Sequence, residues 1–313
     1  MKSLKTSFIC TVLNEEETIL ELLHSLSMQS KIPDEIVIVD GGSKDATLNL
    51  VKSFKAKHRN LSLKLLQKKG NRAVSRNFGI KHAGYEAILI SDAGCVLAKD
   101  WVEKITKPFS NPSVGIVAGY YKGKDRSIFQ KSLLPYVLVM EDKINRDTFL
   151  PSTRSMAIRK SLLVRMGGFP EEYSHNEDYV FAKKLERKKI KIYFAKKAIV
   201  YWLPRKTLKG SFVMFFRFAY GDAEAGIFRA KVLLIFLRYL VFGILCIAAL
   251  NGVMISFYYL AGLVFLYFLW AIIKNYRYVK KYQAFFFLPL LQITSDIAVL
   301  GGSCAGFFRY VAR

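Results

Sequence analysis

Three long apolar stretches fill the last third of the chain: Val232–Leu250, Val253–Ile273 and Ala284–Phe308, each with at most one charged residue. Each has close to the roughly 20 residues a helix needs to cross the hydrocarbon core of a bilayer. Backbone in that environment has no water to bond, so it must be helical. The stretches also divide the chain. Up to about Lys231 the sequence is mixed and charged, and beyond it Leu, Ile, Val, Phe and Tyr run almost without interruption. The 52% hydrophobic content of these 313 residues is therefore unevenly placed, and the chain reads as a globular part followed by a membrane part.

Polar residues interrupt the first and third stretches. Arg238 and Asp296 are costly in lipid and require a partner or a role; they are candidates to pair with each other. The third stretch also holds Pro289, Gln292 and Gly301-Gly302, which reads as a broken segment that either crosses or re-enters, so two to three spans are expected. Upstream, Phe212, Phe215, Phe216, Phe218 and Tyr220 surround Arg217, with Arg205 and Lys209 just before. That pattern predicts an amphipathic segment over 205–231 lying in the membrane interface.

The formal charge of +24 needs an anionic partner or place. Arg205, Lys206, Lys209, Arg217, Arg229 and Lys231 crowd the approach to the apolar stretches, and Lys274, Arg277, Lys280 and Lys281 lie between two of them. This is the positive-inside bias of cytoplasmic loops. It predicts a multi-pass membrane protein with a cytoplasmic N-terminal domain and Asn251-Gly252 turning outside. There is no aromatic-basic RNA-binding signature or zinc-finger spacing, so the charge points to membrane surface and phosphorylated substrates, not nucleic acid. Cys10, Cys95, Cys246 and Cys304 stand singly, without metal-like spacing; they read as buried free thiols in a reducing compartment. Met1-Lys2-Ser3-Leu4-Lys5 leads into a strand-like run instead of a signal-peptide core.

The first half alternates. Ser7–Leu13, Glu35–Val39, Leu61–Gln67 and Ala87–Ser91 read as strands, with helices over Glu16–Met28, Lys44–Lys57 and Arg72–Ala83 between them. Continuous apolar strands in βαβ alternation indicate an α/β fold with a mostly parallel sheet. Ligands of such sheets collect beyond the strands' carboxyl ends, where this chain places Asn14, Glu15, Asp40 and Asp92. The middle is less regular: a strand over Val114–Ala118, a helix over Ile128–Arg146, a strand over Ser155–Ile158, a turn at Gly167-Gly168-Phe169-Pro170, a helix from near Glu177, and two strands, Lys191–Phe194 and Ile199–Trp202.

Thr11-Val12-Leu13-Asn14-Glu15-Glu16, then Ile36-Val37-Ile38-Val39-Asp40-Gly41-Gly42-Ser43-Lys44-Asp45-Ala46-Thr47, resembles the opening of glycosyltransferase family 2. Arg72-Ala73-Val74-Ser75-Arg76-Asn77 with Gly79, Ile90-Ser91-Asp92-Ala93-Gly94, Gly167-Gly168-Phe169 and Asn176-Glu177-Asp178 match further family elements in order. The resemblance covers roughly the first 200 residues. It implies a GT-A (Rossmann-like) domain over 1–204, ahead of the interfacial segment 205–231 and a membrane domain over 232–313. It also implies an inverting transfer from a nucleotide-diphosphate sugar to a membrane-associated acceptor, lipid-linked or glycan.

Inverting transfer needs one base for the acceptor hydroxyl; the resemblance gives that role to Asp178. The donor pocket falls to Asn14, Glu15, Asp40 and Asp92, with Arg72 and Arg76, one helical turn apart, facing the diphosphate. Asp92 is the candidate ligand for a divalent cation, Mg²⁺ or Mn²⁺. Two departures weaken that metal site: Gly94 replaces the family's usual second carboxylate, and Trp202 stands where many relatives have a histidine. Pro151-Ser152-Thr153-Arg154-Ser155 and the Arg217–Asp222 stretch are candidates for the acceptor side. A polyprenyl-phosphate glycosyl donor synthase is the alternative within the same chemistry. A polymerising synthase is disfavoured by the small number of spans and the absence of a QxxRW-like motif. A non-catalytic nucleotide-binding membrane protein is disfavoured by Asp40, Asp92 and Asp178 occurring together.

Overall fold

The computed structural model describes residues 4–312. They form two compact units, one built from residues up to Lys124 with Val139–Leu203, the other from Asp125–Leu138 and the chain from Pro204 onward. In chain order the elements are β1 (Thr6–Val12), α1 (Ile19–Ser27), β2 (Glu35–Asp40), α2 (Thr47–Lys57), β3 (Leu63–Gln67), α3 (Arg72–Lys81), β4 (Ala87–Ile90), β5 (Cys95–Leu97), α4 (Trp101–Thr106), β6 (Ile116–Gly123), α5 (Ile128–Val137), β7 (Met156–Arg159), α6 (Lys160–Arg165), α7 (Glu177–Arg187), β8 (Ile192–Trp202), α8 (Leu208–Glu224), α9 (Ala230–Leu250), α10 (Met254–Val279) and α11 (Ala284–Val311).

The first unit is an eight-stranded sheet in the order β3-β2-β1-β4-β7-β6-β8-β5. Its first four strands are parallel, β7 runs antiparallel between β4 and β6, and β8 is parallel to β6. Strands β2 and β4 are buried along their whole length, which is why they read as unbroken apolar runs instead of alternating ones. Helix α3 lies close against β1 and β2, and a side chain at Gly79 would stand 2.8 Å from a Val39 methyl. Parallel pairing of β2, β1 and β4 brings the chain after all three to the same edge of the sheet, and this positions the site.

Two expectations for the middle of the chain change. The helix expected over Ile128–Arg146 stops at Val137: Pro135 weakens its last turn, and the Glu141–Asp147 run is mostly exposed, with no apolar face to bury. The two strands expected after Lys191 are one strand, β8. Its register shifts where Ala195 and Ile199 face consecutive residues of β6, and the exposed Lys196 and Lys197 bulge from the pairing.

In the second unit, α9, α10 and α11 are each long and apolar enough to cross a membrane. The break expected at Gly301-Gly302 is absent, because α11 is continuous through it. Gly302 and Gly306 serve a close approach: a side chain at either would stand 2.4 Å from the Phe216 carbonyl oxygen or 2.3 Å from that of Tyr220 on α8, beside Ala219 and Ala223. Small residues four apart on both helices are the pattern that lets backbones pack without lipid between them.

The anticipated pair between the first and third apolar stretches forms. Arg238 of α9 is ion-paired with Asp296 of α11, which also accepts from the Tyr267 hydroxyl at 2.7 Å and the Gln292 amide at 2.9 Å. All four cysteines are free thiols; Cys10 and Cys95 are buried as expected, whereas Cys246 and Cys304 face outward from their helices.

Candidate active site

The ends of β1 and β2 are laced together by the residues expected to line a donor pocket. Asn14 adopts a left-handed conformation, φ 55°. Its side-chain oxygen accepts from the Lys44 amide at 2.9 Å, and its own amide donates to Ser43 Oγ at 3.0 Å. The Glu15 amide donates to Thr47 Oγ1 at 2.8 Å. Asp40 is buried and turns the chain after β2, accepting from the amides of Gly42 and Ser43. Asp92 follows β4 on the same edge with its side chain 41% exposed, whereas Asp40 is buried.

Arg72 and Arg76, expected on one face, differ in exposure. Arg72, in the first turn of α3, is exposed, while Arg76 is turned inward and buried at 2% exposure. Its Nη1 bonds Glu177 Oε1 at 2.8 Å, its Nη2 stands 3.8 Å from Asp92, and its guanidinium lies over the Phe169 ring. Burial works against the arginine's charge, but Glu177 and Asp92 outweigh it and hold its pKa above the ordinary value. In this structure the guanidinium is buried and ties Glu177 to the Asp92 edge of the site.

The same helix holds the segment that delivers Asp178. Asn71 Nδ2 donates to the carbonyls of Glu171 and Tyr173. Asn77 exchanges hydrogen bonds with the Phe169 backbone at 2.8 and 2.9 Å. Gly168, at φ 74°, must lack a side chain, since one would stand 2.9 Å from Asn77 Oδ1. Asn176 at φ 57° then starts α7, which places Glu177 against Arg76 and the next residue, Asp178, against Ser152 and Thr153. Asn71 lies one residue before the Arg72–Asn77 motif and Asn77 is its last residue; the sequence reading gave neither of them a role.

Asp178 is half-buried, and one carboxylate oxygen accepts from Ser152 Oγ at 3.0 Å and from the Thr153 amide and hydroxyl at 3.3 Å each. The same short loop reaches β4, where Ser91 Oγ donates to the Arg154 carbonyl at 2.8 Å. The Arg154 guanidinium lies over the rings of Tyr121 and Trp202 at 5.3 and 5.4 Å and has no carboxylate partner within ion-pair distance among the described residues. Burial opposes its charge too, and Tyr121, Asp92, Cys95 and Asp178 together outweigh that, keeping its pKa above the ordinary arginine value. The loop thus joins Asp178 to the Asp92 edge and sets one aromatic-backed cation near both. Cys10 and Cys95 beneath are held as thiols: burial, then the nearby Asp92, raises both pKa values, so neither is a nucleophile.

For a divalent cation the protein donors are few. No group of three or more His, Cys, Asp or Glu residues converges among the described residues. Trp202 pairs across from Cys95 beside Asp92 and offers no ligand atom, and Gly94 faces open space. The set does not form a resident metal centre. It fits an ion that arrives on a ligand's phosphates and takes Asp92 as its one protein carboxylate, as Mg²⁺ commonly does.

The family model for glycosyl transferase family 2 matches residues 7–167. The poly-β-1,6-N-acetyl-D-glucosamine synthase of Staphylococcus epidermidis is 26% identical over 92% of this chain and 71% of its own length. An O-antigen chain rhamnosyltransferase of Salmonella typhimurium is 24% identical over 67% of each. Among solved structures, TarS of Staphylococcus aureus in complex with UDP-GlcNAc is 27% identical over 69% of this chain and 66% of its own, with TM-score 0.51. The mannosyltransferase PcManGT of Pyrobaculum calidifontis, in complex with GDP-Man and Mn²⁺, shares the fold at 20% identity and TM-score 0.65, over 93% of this chain and 86% of its own. With the GT-A sheet, the ordered motifs and a family match over more than half of its length, the chain belongs to glycosyl transferase family 2 and is a glycosyltransferase.

Proposed function

We propose that this enzyme transfers a sugar, with inversion, from a nucleoside diphosphate sugar to an acceptor held at a membrane. The observation that carries the reading is the 152–154 loop, which sets a half-buried carboxylate, Asp178, on one side and, on the other, the Arg154 guanidinium, with no carboxylate within ion-pair distance among the described residues, together with the part-exposed Asp92. A base and a cationic site for a leaving diphosphate are the two things such a transfer needs. Asp178 takes the acceptor hydroxyl's proton as that oxygen bonds the anomeric carbon; the bond from that carbon to the diphosphate breaks, and the nucleoside diphosphate leaves with the electron pair. Asn14, Glu15 and Asp40 shape the nucleoside end of the pocket. Arg72, at the exposed start of α3, lies outside the organised part of the site. A Mg²⁺ or Mn²⁺ ion, when bound, adds positive charge to the diphosphate, with Asp92 to hold it; binding of GDP-Man and Mn²⁺ by a protein of the same fold supports that.

The acceptor is proposed to be lipid-linked, because the basic residues of 205–231 and 274–281 crowd the apolar helices, which would anchor the enzyme with its catalytic unit in the cytoplasm. The relative named for a polymer does not carry polymerisation to this chain, which lacks a QxxRW-like motif. The polyprenyl-phosphate donor synthase differs only in acceptor, and one assay addresses both. Purified enzyme is offered sugar nucleotides with polyprenyl phosphate, lipid-linked glycan or soluble sugar, and the product anomer is read by NMR. Retention of configuration, or transfer to soluble sugars alone, overturns the corresponding part.

Two substitutions test the donor side. Arg154→Ala is expected to weaken nucleoside diphosphate binding by about 10- to 100-fold, the range for a lost hydrogen bond to a charged group, read by calorimetry; Arg154→Lys keeps the charge and should lose less. Gly94→Asp places a second carboxylate in open space beside Asp92 and is expected to lower the Mn²⁺ concentration needed for half-maximal transfer. An unchanged Mn²⁺ response would count against Asp92 as the ion's ligand.

A further inference from the structure

The second unit contains a contradiction for three crossings. The end of α9 joins the start of α10 through the short turn at Asn251-Gly252, and the end of α10 joins the start of α11 through residues 280–283. If all three helices crossed, α9 would begin on one side of the bilayer and α11 would end on the other. Yet the two are in contact there: Phe228, two residues before α9, packs on Phe307 and Tyr310 near the end of α11, with ring centroids 6.2 and 6.1 Å apart. Three helices closed into a ring cannot all cross, because an odd number of crossings does not return to its starting side.

Helix α8 identifies the one that does not. It runs in step with α11, Phe216 beside Gly302 and Tyr220 beside Gly306, and continues so that Gly226 meets Tyr310. A crossing α11 would carry α8 with it into the bilayer, and α8 bears Arg217, Asp222 and Glu224 in its second half. Helix α9, by contrast, has none of its apolar stretch buried in protein, while 39% of that of α11 is buried. Phe286, Ile297 and Phe308, spaced eleven residues or three turns apart along α11, remain exposed on one stripe.

We propose that only α9 and α10 cross, as a hairpin, and that α11 lies along the cytoplasmic face of the bilayer, its small-residue face on α8 and its Phe286–Ile297–Phe308 stripe in the lipid interface. The partner of this surface is the lipid itself. In this arrangement the Arg238–Asp296–Tyr267 cluster sits where the hairpin meets α11, and its opposite charges satisfy each other. The inference rests on the membrane-spanning reading of α9 and α10.

The test uses the full chain in membranes with Cys246 and Cys304 changed to serine. Single cysteines are placed at Lys57→Cys in the catalytic unit, at Asn251→Cys in the hairpin turn and at Ala312→Cys after α11, and are treated with an impermeant maleimide from either side. Lys57→Cys and Ala312→Cys are expected to label from one side and Asn251→Cys from the other. Labelling of Ala312→Cys together with Asn251→Cys, opposite to Lys57→Cys, overturns the inference and leaves the spanning reading intact. Labelling of all three from one side overturns both. As a second readout, probes at Phe286→Cys, Ile297→Cys and Phe308→Cys should be quenched alike by lipid quenchers of one depth; a maximum at Ile297→Cys for the deepest quencher would mean that α11 crosses.

Discussion

Replacing Asp178 by asparagine is expected to slow sugar transfer by about 10²- to 10⁴-fold, the usual contribution of a positioned general base, while nucleoside diphosphate affinity stays within about twofold, because a loss of catalysis need not change ground-state binding. The substitution is close to isosteric. The asparagine oxygen still accepts from the Ser152 hydroxyl and Thr153 amide that hold the carboxylate now, so loop and helix keep their places. What disappears is the capacity to take a proton. The site offers no substitute in that loop, since Ser152 and Thr153 are ordinary hydroxyls and Arg154 is fixed as a cation. Single-turnover transfer and calorimetric titration on the same preparation separate the two quantities. Equal transfer by both forms would remove Asp178 from the base role, and parallel losses of binding and transfer would make it a structural residue.

The parts of this molecule that were legible in the sequence are those where one residue's environment dictates its type. Strands buried on both faces had to read as Ile36–Val39 and Ala87–Ile90 do, and acids at the ends of parallel strands fell on one edge because the topology leaves them nowhere else. A charge in lipid demanded a partner, which made Arg238 and Asp296 a foreseeable pair. The rest depends on contacts across long stretches of chain. The amide of Asn77 finds Phe169 92 residues away, and nothing in Arg72-Ala73-Val74-Ser75-Arg76-Asn77 shows that Arg76 turns inward to Glu177 and not outward to a phosphate. Gly302 and Gly306 have the same character. A glycine pair in an apolar helix suggests a break when read alone, and becomes a packing surface only when Ala219 and Ala223 are known to face it. The Phe228–Phe307 contact that limits the crossings joins residues 79 apart in sequence, so no hydropathy window contains it.

The Arg76–Glu177 pair should show how far positioning and stability can be separated. Both side chains are almost wholly buried, at 2% and 4% exposure, and the bond between them is 2.8 Å. Glu177→Ala leaves the guanidinium buried without its nearest carboxylate, with only Asp92 at 3.8 Å, and the expected cost is about 3–5 kcal/mol. Against a typical total of about 5–15 kcal/mol for a domain, that is a large fraction, readable as a lower denaturation midpoint by the emission of Trp101 and Trp202, both in the catalytic unit. The double variant Arg76→Met with Glu177→Leu removes both charges and fills similar volume, so most of that stability should return. Transfer should not return with it. The salt bridge ties the start of α7 to α3, and without it Asp178, the next residue, loses the anchor that keeps it against Ser152 and Thr153; misplacement of a reacting group by about 1 Å can cost 10²-fold in rate. A double variant that regains both midpoint and turnover would mean that the pair only stabilises the fold, whereas a Glu177→Ala midpoint equal to the parent's would mean that the buried arginine finds another partner.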